Sequence, residues 1–300
     1  MIYMLPFFTV LIWGGNTIVN KMASFVIEPG AMSFYRWVVA VIILTPFCLP
    51  SVLRQWQAVK RHLFQIIILS ALGLVINQSL GYYAGQTTSA SNMSLISSLV
   101  PLFSVFASVP LLKKRISLKS VIGAGISLVG LTYMLGQGDL LFFLRQKIVQ
   151  GDVLMLAASF VYAFYCVLLK KWKMPFGNWT LIYLQGISAV IMLIPLWMGS
   201  DHLLPTIESA PLIAYAGIAA SVIAPWLWVK AINALGADST AMFMNLLPVI
   251  AVTFAAIILG ETIHLFHVVG GLMVVFGVLL SQVKIKLHRA SPKLPPISHA

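Results

Sequence analysis

Ten apolar stretches, each about as long as the roughly 20 residues a helix needs to cross the hydrocarbon of a bilayer, follow one another almost without interruption along this chain. They run at about 3–21, 31–50, 64–83, 89–112, 117–136, 152–170, 178–198, 210–230, 237–259 and 264–283. No other feature restricts the fold so much. With no water in the hydrocarbon, a spanning segment must satisfy its own backbone, so these runs are expected to be helices. Charged residues make up only 9% of the 300-residue chain against 60% hydrophobic, where a soluble domain carries roughly 25% charged. A soluble fold would leave large apolar patches in water. The expected class is an all-α integral membrane protein.

The net charge of +12 raises nucleic acid and the membrane surface as partners. The basic residues fall in short clusters between apolar runs rather than on one stripe, so membrane lipid is the expected partner and nucleic acid is not. Orientation follows from where they fall. With the N-terminus in the cytoplasm, fifteen Lys and Arg lie in or beside cytoplasmic connections, at 54, 60, 61, 113–115, 119, 170, 171, 173, 230, 284, 286, 289 and 293. Lys21, Arg145 and Lys147 alone fall outside, and Arg36 lies within the second span. Both termini are therefore expected in the cytoplasm. The first run has neither a basic leader nor a small-residue cleavage site and reads as a retained span. Cys48 and Cys166 sit in apolar contexts without metal spacing and read as small buried hydrophobes.

The chain also repeats itself. PLFSVFASVPLLKKRISLKSVIGAGISLVG from Pro101 aligns without gaps on PVIAVTFAAIILGETIHLFHVVGGLMVVFG from Pro248, pairing Pro101 with Pro248, Gly123 with Gly270 and Gly130 with Gly277. More weakly, Trp13–Lys21 lies over Tyr162–Lys170. Each half holds five runs. Five is odd, so the second half enters the membrane from the opposite face. Inverted repeats of this kind are found in secondary transporters, where two packings of the halves expose one central site to either side. The division is 1–136 for the first five-helix repeat, 137–151 for a periplasmic connection, 152–283 for the second repeat and 284–300 for a basic cytoplasmic tail.

Polar residues inside the runs are the site candidates, because lipid penalises them. Asn16, Asn77, Gln78, Tyr82 and Asn92 lie in the outer half, and Tyr165, Trp226, Trp228 and Asn245 in the inner. Amides donate and accept without charge, which suits a neutral or zwitterionic solute. An interhelical hydrogen bond, or an interfacial belt position for the aromatic residues, is the competing reading of each. Pro101 and Pro248 each remove a backbone hydrogen bond near mid-membrane, where a helix can bend. Ser94, Ser97, Ser104 and Ser108 share a helical face with Pro101, as Ala241, Met244, Ala251 and Ala255 do with Pro248, and read mainly as close-packing positions. Arg36 either snorkels to the headgroups or faces a cavity and recognises a carboxylate or pairs with a helix C-terminus. Glu261 either clamps a gate or a neighbouring loop or is a solvated helix end. Gly123–Ser127 and Gly277–Ser281 have small-x-x-x-small spacing and serve either a homodimer or packing within a monomer. All seven acidic residues lie near span ends or in connections, which weakens a central proton relay and an intramembrane aspartyl protease. No P-loop or serine-protease motif appears, and no convergent acid, base, nucleophile or metal set supports an enzyme. No cofactor is expected.

Trp13-Gly14-Gly15-Asn16 with Lys21, Arg36, Pro101, Gly151-Asp152 and the stretch Ala231–Thr262 together resemble the drug/metabolite transporter superfamily, in its EamA-like ten-helix members. The family closes the ninth span, and usually the fourth, with a Gly-Glu-Arg-like turn. Here Gly260-Glu261-Thr262 keeps the second copy, while Lys113-Lys114-Arg115 replaces the first. The resemblance covers nearly the whole chain. It implies ten helices around a cavity lined by spans one, three, four, six, eight and nine, in a bacterial inner membrane. Asn16, Asn77, Gln78, Asn92, Tyr162, Trp226 and Asn245 belong to those spans, and with Trp13, Tyr82 and Tyr165 they form the candidate solute-binding set. Arg36, Pro101, Pro248 and Glu261 form the candidate gating and charge set. The expected activity is secondary transport or facilitated export of small polar metabolites such as amino acids. A membrane sensor or assembly partner that moves no solute is the alternative.

Overall fold

The computed structural model describes residues 2–113, 118–139, 149–235 and 242–282. The tail 284–300, most of the connection 137–151, Lys114, Arg115 and Asp238 lie outside the described residues, as does the side chain of Asn245. Among the described residues regular structure is helical throughout. The long helices overlie the ten apolar runs: α1 Met4–Val26, α2 Pro29–Arg54, α3 Leu63–Gly85, α4 Ala90–Leu112, α5 Leu118–Leu135, α6 Gln150–Trp172, α7 Asn178–Met198, α8 210–235, α9 242–259 and α10 Leu265–Gln282. A short helix, Trp56–Arg61, joins α2 to α3. Six of these, α2, α3, α4, α6, α7 and the 210–231 part of α8, are long and apolar enough to cross a membrane by length and composition. The helix α1 is as long, but Gly14, Gly15, Asn16, Asn20 and Lys21 dilute its apolar character.

The outward-facing side chains are apolar. Phe47 is 77% exposed, Ile257 75% and Phe276 59%. In water such a surface would drive aggregation; in lipid it costs nothing. The protein is a multi-pass membrane protein.

Antiparallel helix pairs build the interior, and small residues set their spacing. Between α5 and α10, a Cβ on Gly277 would stand 2.4 Å from the Gly123 carbonyl oxygen, and one on Gly270 2.6 Å from that of Gly130. Ser127 Oγ donates to Val274 O at 3.1 Å. Gly123, Ser127 and Gly277 thus pack inside one chain, while the side chain of Ser281 lies outside the described residues. Between α2 and α7, Gly30 meets the Leu196 carbonyl, Gly186 meets Trp37 and Val41, and the Thr45 and Tyr183 hydroxyls share a hydrogen bond at 3.0 Å.

Four helices depart from regular α geometry. Residues 71–76 of α3 and 215–223 of α8 are π-helical. Turns at Ser98 and Leu99 interrupt α4, and α9 opens as a 3-10 segment, Met242–Leu246. Pro101 and Pro248 follow these interruptions, each in the first turn of the next helical segment, Val100–Leu112 and Leu247–Leu259. There the missing N–H has no intrahelical acceptor to lose. The prolines therefore begin segments instead of bending a continuous helix. Each segment ends in a left-handed residue twelve positions after its proline, Lys113 (φ 53°) and Gly260 (φ 66°).

Candidate functional site

Arg36 leaves α2 toward the interior and is only 6% exposed. Its Nε donates to Ser221 Oγ of α8 at 2.9 Å, and Nη1 donates to the Tyr82 hydroxyl of α3 at 3.2 Å. Ser221 in turn donates to Ala216 O at 2.8 Å, across the π-helical turn that brings it there. Among the described residues Arg36 has no carboxylate partner. The guanidinium is a buried cation held by neutral groups, with other N–H donors to spare. Of the two sequence-based readings, headgroup snorkelling does not fit this burial. One turn before Tyr82 on α3, Gln78 Oε1 accepts from Trp37 Nε1 at 3.1 Å.

A second polar group lies where α6 crosses α3 and α7. The Tyr162 and Tyr165 rings stack with centroids 5.3 Å apart. The Tyr165 ring covers Gly73 so closely that a Cβ there would stand 2.6 Å away. Its hydroxyl donates to Gln185 Oε1 at 3.3 Å, leaving the buried Gln185 Nε2 without an acceptor among the described residues. Asn77 Nδ2 donates to Ala158 O at 2.9 Å. On α1, Asn16 Nδ2 reaches Asn20 Oδ1 at 3.5 Å, while its own Oδ1 is buried and has no donor among the described residues. Trp13 Nε1 donates to Ala220 O at 3.2 Å, and its ring lies 5.4 Å from that of Trp228.

One end of the bundle is tied together by acidic residues. Glu261 accepts from the Ala90 N–H at 2.7 Å, the Ser91 N–H at 3.1 Å and Ser91 Oγ at 2.6 Å. It thereby caps α4 from the α9–α10 connection, where N–H groups lack intrahelical acceptors and the helix dipole favours negative charge. Lys21 Nζ donates to Gly85 O at 2.7 Å. Asp152, in the first turn of α6, accepts from Thr88 Oγ1 and, at 3.4 Å, from Asn92 Nδ2. Beside this end is a depression of about 270 Å³ bordered by Ser24, Glu28, Gln86, His202, Thr206 and Ser209. Nearer the other end a groove of about 320 Å³ opens between α4 and α6, lined by Pro101, Ser104, Ser108, Leu112, Cys166 and Lys170.

The structure thus brings Arg36 and Tyr82 together, and Tyr162 with Tyr165. Trp13 sits at the α1–α8 crossing and Asn77 at the α3–α6 crossing, Asn16 meets Asn20 within α1, and Asn92 joins Asp152. Trp226 stands apart, 40% exposed, with Lys230 Nζ 3.8 Å from its ring centroid. Sequence reasoning missed Gln185 and Ser221. Gln185 carried a readable signal, an amide within an apolar run; a serine beside alanines in the eighth run carried none. Among the described residues no group of three His, Cys, Asp or Glu could hold a metal ion.

Comparison with known proteins gives a consistent result. The EamA-like transporter family model matches residues 1–136 and 149–282. An uncharacterized transporter from Archaeoglobus fulgidus is 27% identical, with 92% of this chain and 95% of that protein covered. The uncharacterized transporter YyaM of Bacillus subtilis is 23% identical over 89% of this chain and 88% of its own. A WAT1-related protein of Arabidopsis thaliana is 24% identical over 91% and 77% respectively. A protein of known crystal structure superposes with a TM-score of 0.62 at 15% identity, covering 93% of this chain and 95% of that one, and shares the fold.

Proposed function

Because this chain belongs to the EamA-like transporter family, and is accordingly a transporter and not an enzyme, we propose that it exports small carboxylate-bearing metabolites, amino acids first, as a secondary transporter or facilitator. Arg36 carries the reading. A charge buried without a counter-charge costs several kcal/mol, and a solute carboxylate entering between α2, α3 and α8 would supply the missing partner. A carboxylate also matches the planar donor fork of a guanidinium. Tyr82 and Ser221 orient the fork. The stacked Tyr162 and Tyr165 rings offer an apolar wall, and the spare Gln185 Nε2 offers a further donor.

We also propose that transport proceeds by alternating access between two five-helix halves of opposite orientation in a bacterial inner membrane, with both termini cytoplasmic. The contact pairs support this. If Gly123 is equivalent to Gly270 and Gly130 to Gly277, a two-fold axis in the membrane plane turns the Gly130–Gly270 contact into the Gly277–Gly123 contact, and both occur. The π-helical turns of α3 and α8 are packed against α6 and α1 in the same exchanged sense. With the Glu261 clamp holding one end, the groove between α4 and α6 is the proposed cytoplasmic entrance, and Lys170 at its mouth attracts anionic solutes.

The test uses the purified full-length protein in liposomes, with a panel of amino acids and of the corresponding amines that lack the carboxyl group. Carboxylates are expected to move and the amines to stay. Losing a hydrogen bond to a charged group costs about 1.5–3 kcal/mol, so Arg36→Gln should lower carboxylate transport roughly 10- to 150-fold, with Arg36→Lys in between. Correctly folded protein that moves no solute in either direction overturns the proposal.

A further inference from the structure

The function proposed above leaves one buried ionisable group unused. Asp152 is 4% exposed, and every partner it has among the described residues is neutral: the Thr88 hydroxyl from the α3–α4 connection and the Asn92 amide from α4. The charged groups nearest in the fold are engaged elsewhere. Lys21 of α1 donates to the Gly85 carbonyl, and Glu261 caps α4. Tyr82 and Tyr83 are the titratable residues at this end of α3, and residues 90–97 of α4 contain none. Arg145 and Lys147, in the connection before α6, lie outside the described residues.

A second observation bears on the state of the carboxyl group. Asn92 Oδ1 is buried and has no donor among the described residues, although its amide touches Asp152. With the amide placed this way, a buried acceptor is left empty, which is unfavourable. Turned over, Oδ1 would face a carboxylate oxygen with no hydrogen between them. A proton on Asp152 supplies the missing hydrogen. The carboxylic acid donates its O–H to the turned Asn92 Oδ1, its oxygens still accept from Thr88, and Nδ2 takes the place that Oδ1 had. The buried charge disappears and Oδ1 gains a donor.

We propose that Asp152 is a proton-binding site, and that its proton occupancy sets how the start of α6 holds the start of α4. Water at this end of the bundle delivers the proton, no covalent bond between heavy atoms changes, and release returns the carboxylate with Thr88 and Asn92 as donors. The site lies on the same α4 terminus that Glu261 caps. Its protonation would therefore couple the bundle end that closes the transport path to the pH on that side. That coupling rests on the proposed function, but the proton site itself does not.

Infrared difference spectroscopy on the full-length protein in lipid tests it without any solute. Spectra taken between about pH 5 and about pH 9, a range that brackets a perturbed carboxyl group, should show the carbonyl stretch of a protonated acid rising as pH falls. That band should vanish in Asp152→Asn and change frequency in Asn92→Ala. Thr88→Val removes a donor to the charged form, and should move the midpoint to higher pH. If Asp152→Asn does not yield monodisperse protein, the shifts in the Asn92 and Thr88 variants decide. Identical spectra for wild type and variants overturn the proposal. So does an Asp152-dependent change that follows sodium concentration instead of pH, which would make the site a metal-cation site. A protein that moves no solute yet shows the titrating band would overturn the transport reading alone.

Discussion

At the scale of single residues, one carboxylate and one cation do work that their neighbours define. Glu261 looks on paper like a helix-end charge, but it satisfies two N–H groups of a helix that begins 171 residues earlier in the chain. N-cap losses cost about 0.5–2 kcal/mol. Glu261→Ala should therefore lower thermal stability by that order and speed amide hydrogen exchange at Ala90 and Ser91. Unchanged exchange at those two amides would show that the cap is not stabilising. Tyr82→Phe keeps the ring, which is 1% exposed, and removes the acceptor for Arg36 Nη1. Transport should weaken while stability falls by about 1.5–3 kcal/mol, the worth of a hydrogen bond to a charged group. Thermal unfolding beside liposome transport measures both.

At the scale of elements, backbone conformation and close packing make separable predictions. Gly260 is left-handed, and a Cβ on it would meet nothing within 4 Å. Gly260→Ala therefore costs strain alone, about 1–2 kcal/mol. The reverse substitution in the other half, Lys113→Gly, removes a left-handed lysine (φ 53°) and should stabilise by a comparable amount. Opposite signs in the two melting shifts are the expected result. Gly277 differs, since a Cβ there would lie 2.4 Å from backbone. Gly277→Ala must push α5 and α10 apart, at about 1–3 kcal/mol for an overpacked contact. A neutral melting shift would mean that the α5–α10 contact is looser than its glycines imply. The π-helical turns belong to this scale as well. The turn in α3 has no proline near it and the one in α8 ends two residues before Pro225; they lie where Tyr165 covers Gly73 and where Trp13 bonds to Ala220.

For the whole molecule, the outward apolar surface and the charge distribution go together. Side chains such as Phe47 and Ile257 face outward, each at least three-quarters exposed, while Lys and Arg collect at one set of connections. Reporter fusions should place the 55–62 connection and the C-terminus in the cytoplasm and the 199–209 connection outside. Phosphatase activity at the C-terminus would reverse the proposed orientation, and with it the direction assigned to the groove between α4 and α6.

The all-helical membrane class, the apolar exterior and the family were readable from residue order alone. Hydrocarbon forces each apolar run to satisfy its own backbone, so run length translates directly into helix length. The Pro and Gly register was also visible, because those residues restrict or free the backbone whatever surrounds them. What the side chains do to one another was not visible. Arg36 could equally reach the headgroups or the interior until α3 and α8 supplied Tyr82 and Ser221. Asp152 looked like an ordinary helix start until Thr88 and Asn92 enclosed it. Gly123 and Gly277 could have joined two chains until α5 and α10 were found to join one. Each of these depends on a contact between residues far apart in the chain, and only the tertiary structure decides which of the possible partners is within a hydrogen bond's reach.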